Sequence, residues 1–387
     1  MPPLLNPVFA DRPVTIFQVM TALANKHGAI NLGQGFPDED GPKEILEAAA
    51  RAIVAGPNQY APVLGVPALR QAVARANKRF YDLDVDWETE TLVCAGATEG
   101  LASAFLAFLN RGDEAIIFAP FYDSYAPMIE AAGAKPVVVP LRPPEWRIDE
   151  DALSRALSAK TKLIVLNTPH NPTGHVVDRD ERDIVAAIAR DHDLIVICDE
   201  VYEHLLFDGR AHRPLMTMPG MRERVIRIGS AGKTFSLTGW RIGYITGPAK
   251  LIAGLMKAHQ YVAYTCFAHL QTAVAAGLDM GDAYYEDFVA GTQEKRDLCR
   301  AGLLAAGFEV LSVEGAYFMT VDIRSVGRKD DLAFCEEITE KAKVAAVPVS
   351  SFYLDPPAAP RHYARFCFCK KREILEEAGR RLKAHFK

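Results

Sequence analysis

The sequence predicts an α/β protein: a large domain with a mostly parallel sheet covered by helices on both faces, plus a smaller α+β domain. Two patterns support this fold class. Between about residues 43 and 250, short apolar runs alternate with stretches of helical spacing. After about residue 280, a long helix is followed by strands and helices in mixed order. We therefore expect a large domain over residues 43–284 and a small domain over residues 285–387, completed by the N-terminal segment 1–42.

The large domain contains six strand candidates, most of them apolar on successive residues, as is typical of strands covered on both faces. In chain order they are TLVCA, EAIIF, PVVVP, KLIVL, LIVIC and VIRIG. The stretches TEGLASAFLAFLN and DERDIVAAIARDH between them have helical spacing. The small domain is predicted to contain, in order, the helix YYEDFVAGTQEKRDLCRAGLLAAG, the strands FEVL and AYFMTVDI, the helix DLAFCEEITEKAKV, the strand YARFCF and a closing helix.

Composition narrows the classes of partner. The 387 residues carry a net charge of −5, so no electrostatic field favours nucleic acid or an anionic membrane, and a small-molecule partner is expected. No apolar run approaches the roughly 18 residues of a membrane span, and we expect a soluble cytoplasmic protein. The seven cysteines include no C-x-x-C pair, and Cys367 and Cys369 are expected to be buried thiols on one face of a strand. No metal is expected.

The segment IGSAGKTFSLTGWRIGY raises the question of what Lys233 does. Its GKT is the end of a nucleotide-binding P-loop, which would indicate an NTPase or kinase. A P-loop also needs a glycine five residues before the glycine of the Gly-Lys pair, because successive backbone N–H groups wrap the phosphates. That position is Arg227, so the lysine must have another role.

Conspicuous polar residues follow several of the predicted strands. Gly96, Ala97 and Thr98 follow TLVCA; Asn171 follows KLIVL; Asp199 and Tyr202 follow LIVIC; Ser230 and Lys233 follow VIRIG. Each has a simpler explanation as a helix cap, a turn or a loop residue. Because ligands of open α/β sheets bind outside the carboxyl ends of the strands, their occurrence at one edge favours a binding site.

The residue types at this edge indicate the ligand. A helix that begins at Ala97 and Thr98 offers N–H groups to an anion, and Ser230 and Arg241 add a hydroxyl and a guanidinium, which together suit a phosphate. The amine of Lys233 can form a Schiff base with an aldehyde. Buried Asp199 needs a cation, which a protonated pyridine nitrogen supplies. Phosphate, aldehyde and pyridinium together indicate pyridoxal 5′-phosphate.

At this point the sequence resembles a class I/II aminotransferase of fold type I. The motifs that carry the resemblance occur in the family's order along nearly the whole chain: INLGQGFPD, NQYAPVLGVPALRQAVA, PFYDSY, NTPHNPTG, CDEVYEHL, SAGKTFSLTGWRIGY and RFCF. NLGQGFPD with SAGKTFS is similar to the branch that contains kynurenine/glutamine aminotransferases, cysteine-conjugate β-lyases and methionine aminotransferases. The resemblance implies that Asn171-Pro172 and Ala119-Pro120 are cis peptide bonds.

The resemblance also implies roles for individual residues. Lys233 would form the Schiff base and shuttle the proton between the substrate Cα and the cofactor, and Asp199 would keep the pyridine nitrogen protonated. The other implied cofactor contacts are Tyr202 and Asn171 at the ring oxygen, Tyr122 on the ring face, and Ala97, Thr98, Ser230 and Arg241 at the phosphate. Tyr60 would reach the phosphate from the neighbouring subunit of a homodimer.

For the substrate, the resemblance implies that Arg365 binds the α-carboxylate beside Asn171 and the backbone of Gly35. Phe17, with Tyr125 near it, would line an apolar side-chain pocket. Methionine, glutamine and aromatic amino acids are therefore expected to be better donors than aspartate, with a 2-oxo acid as acceptor in ping-pong half-reactions. Two alternatives stay open: a carbon–sulfur β-lyase on the same cofactor, and a regulatory module of the kind fused to DNA-binding domains, although no basic helix-turn-helix precedes residue 43.

Overall fold

The structure is a computed structural model that describes residues 4–10, 12–355 and 358–387. Its strands in chain order are β1 (Ile30–Asn31), β2 (Thr91–Cys94), β3 (Glu114–Ala119), β4 (Lys135–Pro140), β5 (Thr161–Asn167), β6 (Ile195–Asp199), β7 (Val225–Ser230), β8 (Gly243–Thr246), β9 (Glu309–Val310), β10 (Phe318–Asp322), β11 (Val344–Ala345), β12 (Val347–Pro348) and β13 (Tyr363–Cys367). The six strands predicted in the large domain are all present.

Both stretches of helical spacing that were singled out in the large domain, TEGLASAFLAFLN and DERDIVAAIARDH, form helices. The helices in chain order are α1 (Pro7–Ala10), α2 (Ile16–His27), α3 (Lys43–Ala55), α4 (Pro67–Tyr81), α5 (Ala97–Phe108), α6 (Tyr125–Ala131), α7 (Glu150–Arg155), α8 (Arg179–Asp191), α9 (Ala231–Thr234), α10 (Ala249–Val262), α11 (Ala268–Leu278), α12 (Asp282–Ala305), α13 (Asp331–Glu337) and α14 (Arg372–Phe386). Among the described residues, no helix is both long enough and apolar enough to cross a membrane.

The central sheet has seven strands in the order β2, β8, β7, β6, β5, β3, β4. Its strands are parallel except β8, which is antiparallel to both of its neighbours. Along β5, Leu163 and Val165 pack into one apolar cluster, while Ile164 and Leu166 pack into another. Successive side chains on a strand point to opposite faces, so apolar layers cover the sheet on both sides, as predicted.

Strand β8 was not among the predicted strands. It lies within WRIGYIT and has only four residues, of which Tyr244 and Ile245 are the large apolar ones. An apolar run of this length has too few residues for its hydrophobic pattern to distinguish a strand from a turn. The strand brings Gly243 opposite Ser230, and this pairing places the preceding residue pair Arg241-Ile242 at the carboxyl ends of the parallel strands.

The C-terminal part of the chain forms an antiparallel sheet in the order β12, β13, β10, β9, with α12 and α14 packed against each other. The N-terminal segment joins this part, because β1 pairs in parallel with β11, and Met20 and Leu32 belong to its apolar core. Residues 1–3 and 11 of the segment lie outside the described residues. Helix α12 begins at Asp282 and spans the predicted boundary at residue 284, so the exact division into domains stays a prediction.

The prediction of one helix over DLAFCEEITEKAKV holds as far as Ala342 and was wrong at its end. Helix α13 ends at Glu337, and a wider helical turn follows over Ile338–Ala342. Lys343 then has a left-handed backbone (φ 58°), which ends the helical segment. The next residue, Val344, belongs to β11 and is held there by its pairing with Ile30.

Candidate active site

A cavity of about 270 Å³ lies outside the carboxyl ends of β5, β6 and β7, as the sheet topology predicts. It brings together most of the residues that the sequence singled out. Its lining is Phe17, Gln34, Gly35, Ala97, Thr98, Leu101, Tyr122, Asn167, Asn171, Asp199, Val201, Tyr202, Ser230, Lys233, Arg241, Phe318 and Arg365.

One end of the cavity is suited to an anion. Helix α5 begins here at Ala97, and the first N–H groups of a helix have no partner within it. Arg241 lies against the same helix end, since a Cβ built on Gly96 would come within 2.4 Å of its Nη2 atom. Gly96 has φ 80° and ψ 158°, a conformation that is essentially restricted to glycine, so the close approach of the guanidinium depends on this residue.

Asp199 forms the floor of the cavity with a carboxylate that is only partly satisfied. The hydroxyl of Tyr125 donates to Oδ2 at 2.5 Å, whereas Oδ1 is buried and has no hydrogen-bond partner among the described residues. Burial raises the pKa of Asp199 to about 6, although the hydrogen bond from Tyr125 acts in the opposite direction. The free oxygen is therefore a ready acceptor for a cationic N–H group.

Asn167 was not among the predicted site residues, yet it connects two of them. Its Nδ2 donates to the carbonyl oxygen of Asp199 at 2.8 Å, and its Oδ1 accepts the backbone N–H of Asn171 at 2.8 Å. The available signal was its place as the last residue of β5, opposite Asp199 in the register.

Lys233 lies on the short helix α9, which follows β7 directly. Its Nζ donates to the carbonyl oxygen of Gly35 at 3.2 Å, and the hydroxyl of Tyr317 donates to the same oxygen at 2.7 Å. Burial lowers the pKa of Lys233, and the charge of Arg241 acts in the same direction. A larger fraction of this amine is therefore neutral, and able to act as nucleophile or base, than of an exposed lysine.

Arg365 lies on β13, buried at 1% exposure, and closes the cavity from the small-domain side. Its Nη1 donates to Asn171 Oδ1 at 2.9 Å and its Nη2 to the carbonyl oxygen of Gly33 at 2.5 Å, while Nε has no hydrogen-bond partner in the described part of the chain. The guanidinium carbon lies 4.2 Å from the ring centre of Phe318 and 5.1 Å from that of Phe17. These contacts hold the charged fork in a fixed orientation.

The two predicted tyrosines of the cavity have different surroundings. The hydroxyl of Tyr122 lies 3.4 Å from Thr98 Oγ1, next to the start of α5. Tyr202 is buried, with its ring 5.1 Å from that of Tyr317. Burial, followed by the charge of Asp199, raises the pKa of Tyr202, so that its hydroxyl stays protonated and can donate a hydrogen bond.

Three further expectations concern Tyr125, Tyr60 and two peptide bonds. Tyr125 was expected near Phe17 in the side-chain pocket, and this was wrong: helix α6 places it against Asp199, outside the lining of the cavity. Tyr60 is 82% exposed and does not line the cavity of its own chain. The peptide bonds Asn171-Pro172 and Ala119-Pro120 are both cis, as expected.

No group of three or more His, Cys, Asp or Glu side chains within residues 4–10, 12–355 and 358–387 is arranged to hold a metal ion.

Comparison with known proteins agrees with this geometry. The model of the family described as aminotransferase class I and II matches residues 27–382. The chain is 47% identical over 378 residues to the probable N-succinyldiaminopimelate aminotransferase DapC of Mycobacterium tuberculosis, covering 95% of each chain. It is 41% identical over 369 residues to the methionine aminotransferase of Escherichia coli, again covering 95% of each. The solved structure of the M. tuberculosis N-succinyldiaminopimelate aminotransferase superposes with a TM-score of 0.95 at 46% identity, covering 98% of this chain and 99% of that one.

Proposed function

The chain belongs to the class I and II aminotransferases, and from this premise we propose which of its residues hold the cofactor, move the proton and bind the amino acid. As a member of this family it depends on pyridoxal 5′-phosphate and transfers amino groups between amino acids and 2-oxo acids. The relatives support transamination and give no support to a β-lyase as the main activity. The residue assignments depend on one observation, that Lys233, Asp199 and Arg365 line a single cavity.

Three features of the cavity fit the cofactor. Asp199 has a buried oxygen without a partner, which a protonated ring nitrogen would satisfy. The N-terminus of α5, with Ala97, Thr98, Ser230 and Arg241, suits the phosphate. Lys233 supplies an amine for the aldehyde. When bound, the cofactor supplies a carbon that exchanges amines and a ring that withdraws electrons from the substrate Cα.

The remaining polar groups would orient the ring. Tyr122 would stack on its face, and Tyr202 and Asn171 would donate to its oxygen. Tyr125 has a positioning role, since its hydrogen bond fixes which oxygen of Asp199 is free for the ring nitrogen. Asn167 supports the same carboxylate by holding the backbone of Asp199 and of Asn171.

Lys233 is proposed to take the proton from the substrate Cα and return it to the cofactor. Its lowered pKa suits this task, because a base must be neutral before it accepts a proton. Nζ is held near the cavity by the carbonyl oxygen of Gly35, a contact that breaks when the amine reacts. We propose that the Gly35 carbonyl holds the lysine before the reaction. Because Gly35 lines the cavity, its backbone would then lie beside the bound substrate.

Arg365 is proposed to bind the α-carboxylate of the amino acid. A planar guanidinium matches a carboxylate with two parallel hydrogen bonds, and burial strengthens such a pair. Asn171 and Gly33 keep two of its nitrogens in place, and no described residue accepts a hydrogen bond from Nε. The rigid fork would hold Cα at a fixed position relative to Lys233.

The lining of the cavity also bears on the side chain of the donor. Phe17, Phe318 and Leu101 make part of it apolar. Among the described residues that line it, the cations are Lys233, Arg241 and Arg365, and each already has a proposed role. We therefore propose that methionine, glutamine and aromatic amino acids are better donors than aspartate. The relatives add an N-succinylated diaminopimelate to the donors that need testing.

Two measurements test these assignments. Borohydride reduction of the enzyme with its cofactor, followed by peptide mapping, should label Lys233, and Lys295 should stay unlabelled although it lies in a neighbouring cavity. A panel of methionine, glutamine, kynurenine, N-succinyl-L,L-diaminopimelate and aspartate should rank aspartate last by kcat/KM. A label on another lysine removes the assignment of Lys233, and a ranking led by aspartate removes the proposed donor class.

The assembly is proposed to be a homodimer with shared active sites. Tyr60 is exposed and packs edge to face against Tyr264 at a centroid distance of 5.3 Å, which leaves its hydroxyl available to another chain. A two-fold dimer, the commonest form of homo-oligomer, would carry Tyr60 of each protomer to the phosphate of its partner.

A further inference from the structure

Cys367 and Cys369 form a close pair of buried thiols at the end of β13. Their Sγ atoms are 3.1 Å apart. Residues two apart on an extended chain have Cα atoms about 6.4–6.8 Å apart, which is within the range that a disulfide spans. A bond between the two sulfurs therefore needs little movement of the backbone.

A second cavity, of about 140 Å³, gives small molecules a route to this pair. Its lining includes the buried Cys369 and Tyr317 and the exposed Glu39 and Asp287, so it joins the interior to the surface. A cavity needs only about 10–15 Å³ of such volume to hold one water molecule, so this cavity has room for a molecule the size of hydrogen peroxide. Cys335, in contrast, is buried within α13 and lines neither this cavity nor the active-site cavity.

The charges around the pair favour one thiolate. Burial acts to raise the pKa of Cys367, but the hydrogen bond from Cys369 and the charges of Arg365 and Lys370 outweigh it, and the pKa is lowered. Burial and the neighbouring Cys367 raise the pKa of Cys369. The thiolate is the form of cysteine that reacts with oxidants.

We propose that Cys367 and Cys369 are a site of reversible oxidation, at which a small peroxide converts the two thiols to an intrachain disulfide. The thiolate is mainly on Cys367, but the proton of Cys369 can pass to it along their hydrogen bond, and this minor form has the thiolate on Cys369, which lines the cavity. That thiolate attacks one oxygen of hydrogen peroxide, the O–O bond breaks, and a sulfenic acid and hydroxide form. The hydroxide becomes water by taking a proton from the solvent, which replaces the proton that the pair released when the thiolate formed. Cys367 then attacks the sulfenic sulfur and expels hydroxide, which takes the thiol proton, so one peroxide and two thiols give one disulfide and two water molecules.

The pair is linked to the active site by short connections. Cys367 lies two residues from Arg365 on the same strand, and its N–H donates to the carbonyl oxygen of Leu32 at 2.7 Å. Lys370 donates to the carbonyl oxygen of Phe36 at 2.9 Å. The segment between Leu32 and Phe36 contains both the Gly33 carbonyl that holds Arg365 and the Gly35 carbonyl that holds Lys233. The small adjustment of the chain that closes the disulfide is passed to this segment through these hydrogen bonds, so we expect oxidation to weaken binding of the substrate carboxylate.

Peptide mapping tests the site directly. Trypsin cleaves after Arg365 and Lys370 and releases both cysteines in one peptide, residues 366–370. After mild treatment of the holoenzyme with hydrogen peroxide and blocking with iodoacetamide, this peptide should carry no alkyl group and be lighter than the reduced peptide by two hydrogen atoms. Dithiothreitol should restore two alkylatable thiols. A peptide that keeps both thiols, or that carries only sulfonic acids, overturns the proposal.

Activity supplies the second readout. KM for the amino donor should rise on oxidation and return with dithiothreitol, and Cys369→Ala should be resistant. Cys335→Ala is the matched control, since Cys335 is buried but lines neither cavity, and it should respond to peroxide as the native protein does. This readout rests on the proposed role of Arg365, whereas the mapping does not, so a disulfide without loss of activity would remove the expected link to the active site and keep the oxidation site. Equal inactivation of the native and Cys369→Ala proteins would show that the pair does not control activity.

Discussion

The carboxylate of Asp199 is buried in the ligand-free protein without a cationic partner among the described residues, which disfavours its charged form. It is 4% exposed, one oxygen has no partner, and burial raises its pKa from 3.8 to about 6. A carboxyl group whose pKa is higher in the folded than in the unfolded protein contributes its full stability below the unfolded pKa, and loses it as the pH rises through the folded pKa. The charged form at neutral pH thus destabilises the protein until a cation meets it.

Asp199→Asn should therefore stabilise the cofactor-free protein while it abolishes turnover. The gain in the free energy of unfolding should reach at most about 3 kcal/mol at about pH 8 and vanish near about pH 4, because the amide removes only the cost of burying a charge. Denaturant unfolding at both pH values measures it. Asp183→Asn, on the exposed face of α8, is the control. An equal gain at both pH values would show that the effect is not one of charge.

Arg365 offers a second test at the scale of one side chain. Arg365→Lys keeps the charge but loses the planar fork, so kcat/KM should fall about 10- to 100-fold for every donor alike. Steady-state kinetics over the donor panel measures this change. Arg75→Lys, which alters an exposed pair with Asp279, should leave the kinetics unchanged. A loss confined to one donor would place Arg365 at the side chain rather than at the carboxylate.

The site residues that follow parallel strands could be predicted because the sheet brings the carboxyl ends of those strands to one edge. Asp199, Ser230 and Lys233 are of this kind. Tyr125 could not be placed in this way. It begins α6, and it faces Asp199 only because that helix packs onto the sheet, a contact without a local signal in the sequence.

Among the elements, the start of α5 depends most on a single backbone position. Gly96→Ala forces a side chain into a conformation that costs about 1–3 kcal/mol and drives the new Cβ into the Arg241 guanidinium. The arginine is the more mobile partner, so we expect it to move away from the helix end and the affinity for pyridoxal 5′-phosphate to fall. Titration of the cofactor-free protein by absorbance measures the change.

Gly112→Ala is the control that separates the backbone strain of an alanine at positive φ from its steric clash with Arg241. Gly112 also has a positive φ, 90°, but a Cβ there meets nothing within 4 Å. It should lower stability and leave the cofactor affinity unchanged. If both variants bind the cofactor as the native protein does, the proposed phosphate contact of Arg241 is wrong.

Helices and strands could be predicted from the sequence where their apolar or helical pattern extends over many residues. Buried parallel strands such as β5, with seven residues, stand out as apolar runs, and α12, with 24 residues, stands out by its length. Strand β8 and the end of α13 are set by pairing partners far away in the sequence. β8 pairs with β2 and β7, and the chain leaves α13 to pair with β1, so tertiary contacts rather than local propensity decide them.

At the scale of the whole molecule, the surface around Tyr60 indicates a partner. Tyr60 is 82% exposed and touches Tyr264, and Tyr261 and Phe267, close to Tyr264 in the chain, are 85% and 52% exposed. Large aromatic side chains exposed together are more typical of an interface than of a free surface. The proposed dimer accounts for this group of aromatics and for the absence of Tyr60 from the lining of its own cavity.

Hybrid dimers test this arrangement. Lys233→Ala removes the amine from a protomer's own site, whereas Tyr60→Ala removes the hydroxyl that reaches the partner's site. Each variant alone should have low activity. After the two are mixed, unfolded together and refolded, each hybrid contains one site with both native residues, supplied by different protomers, so activity should return in proportion to the fraction of hybrids. Sedimentation should give the mass of a dimer for all samples. If Tyr60 instead acts within its own chain, each hybrid has one site that lacks Lys233 and one site that lacks Tyr60. No site is then fully native, and the mixture should show only the average activity of the two variants.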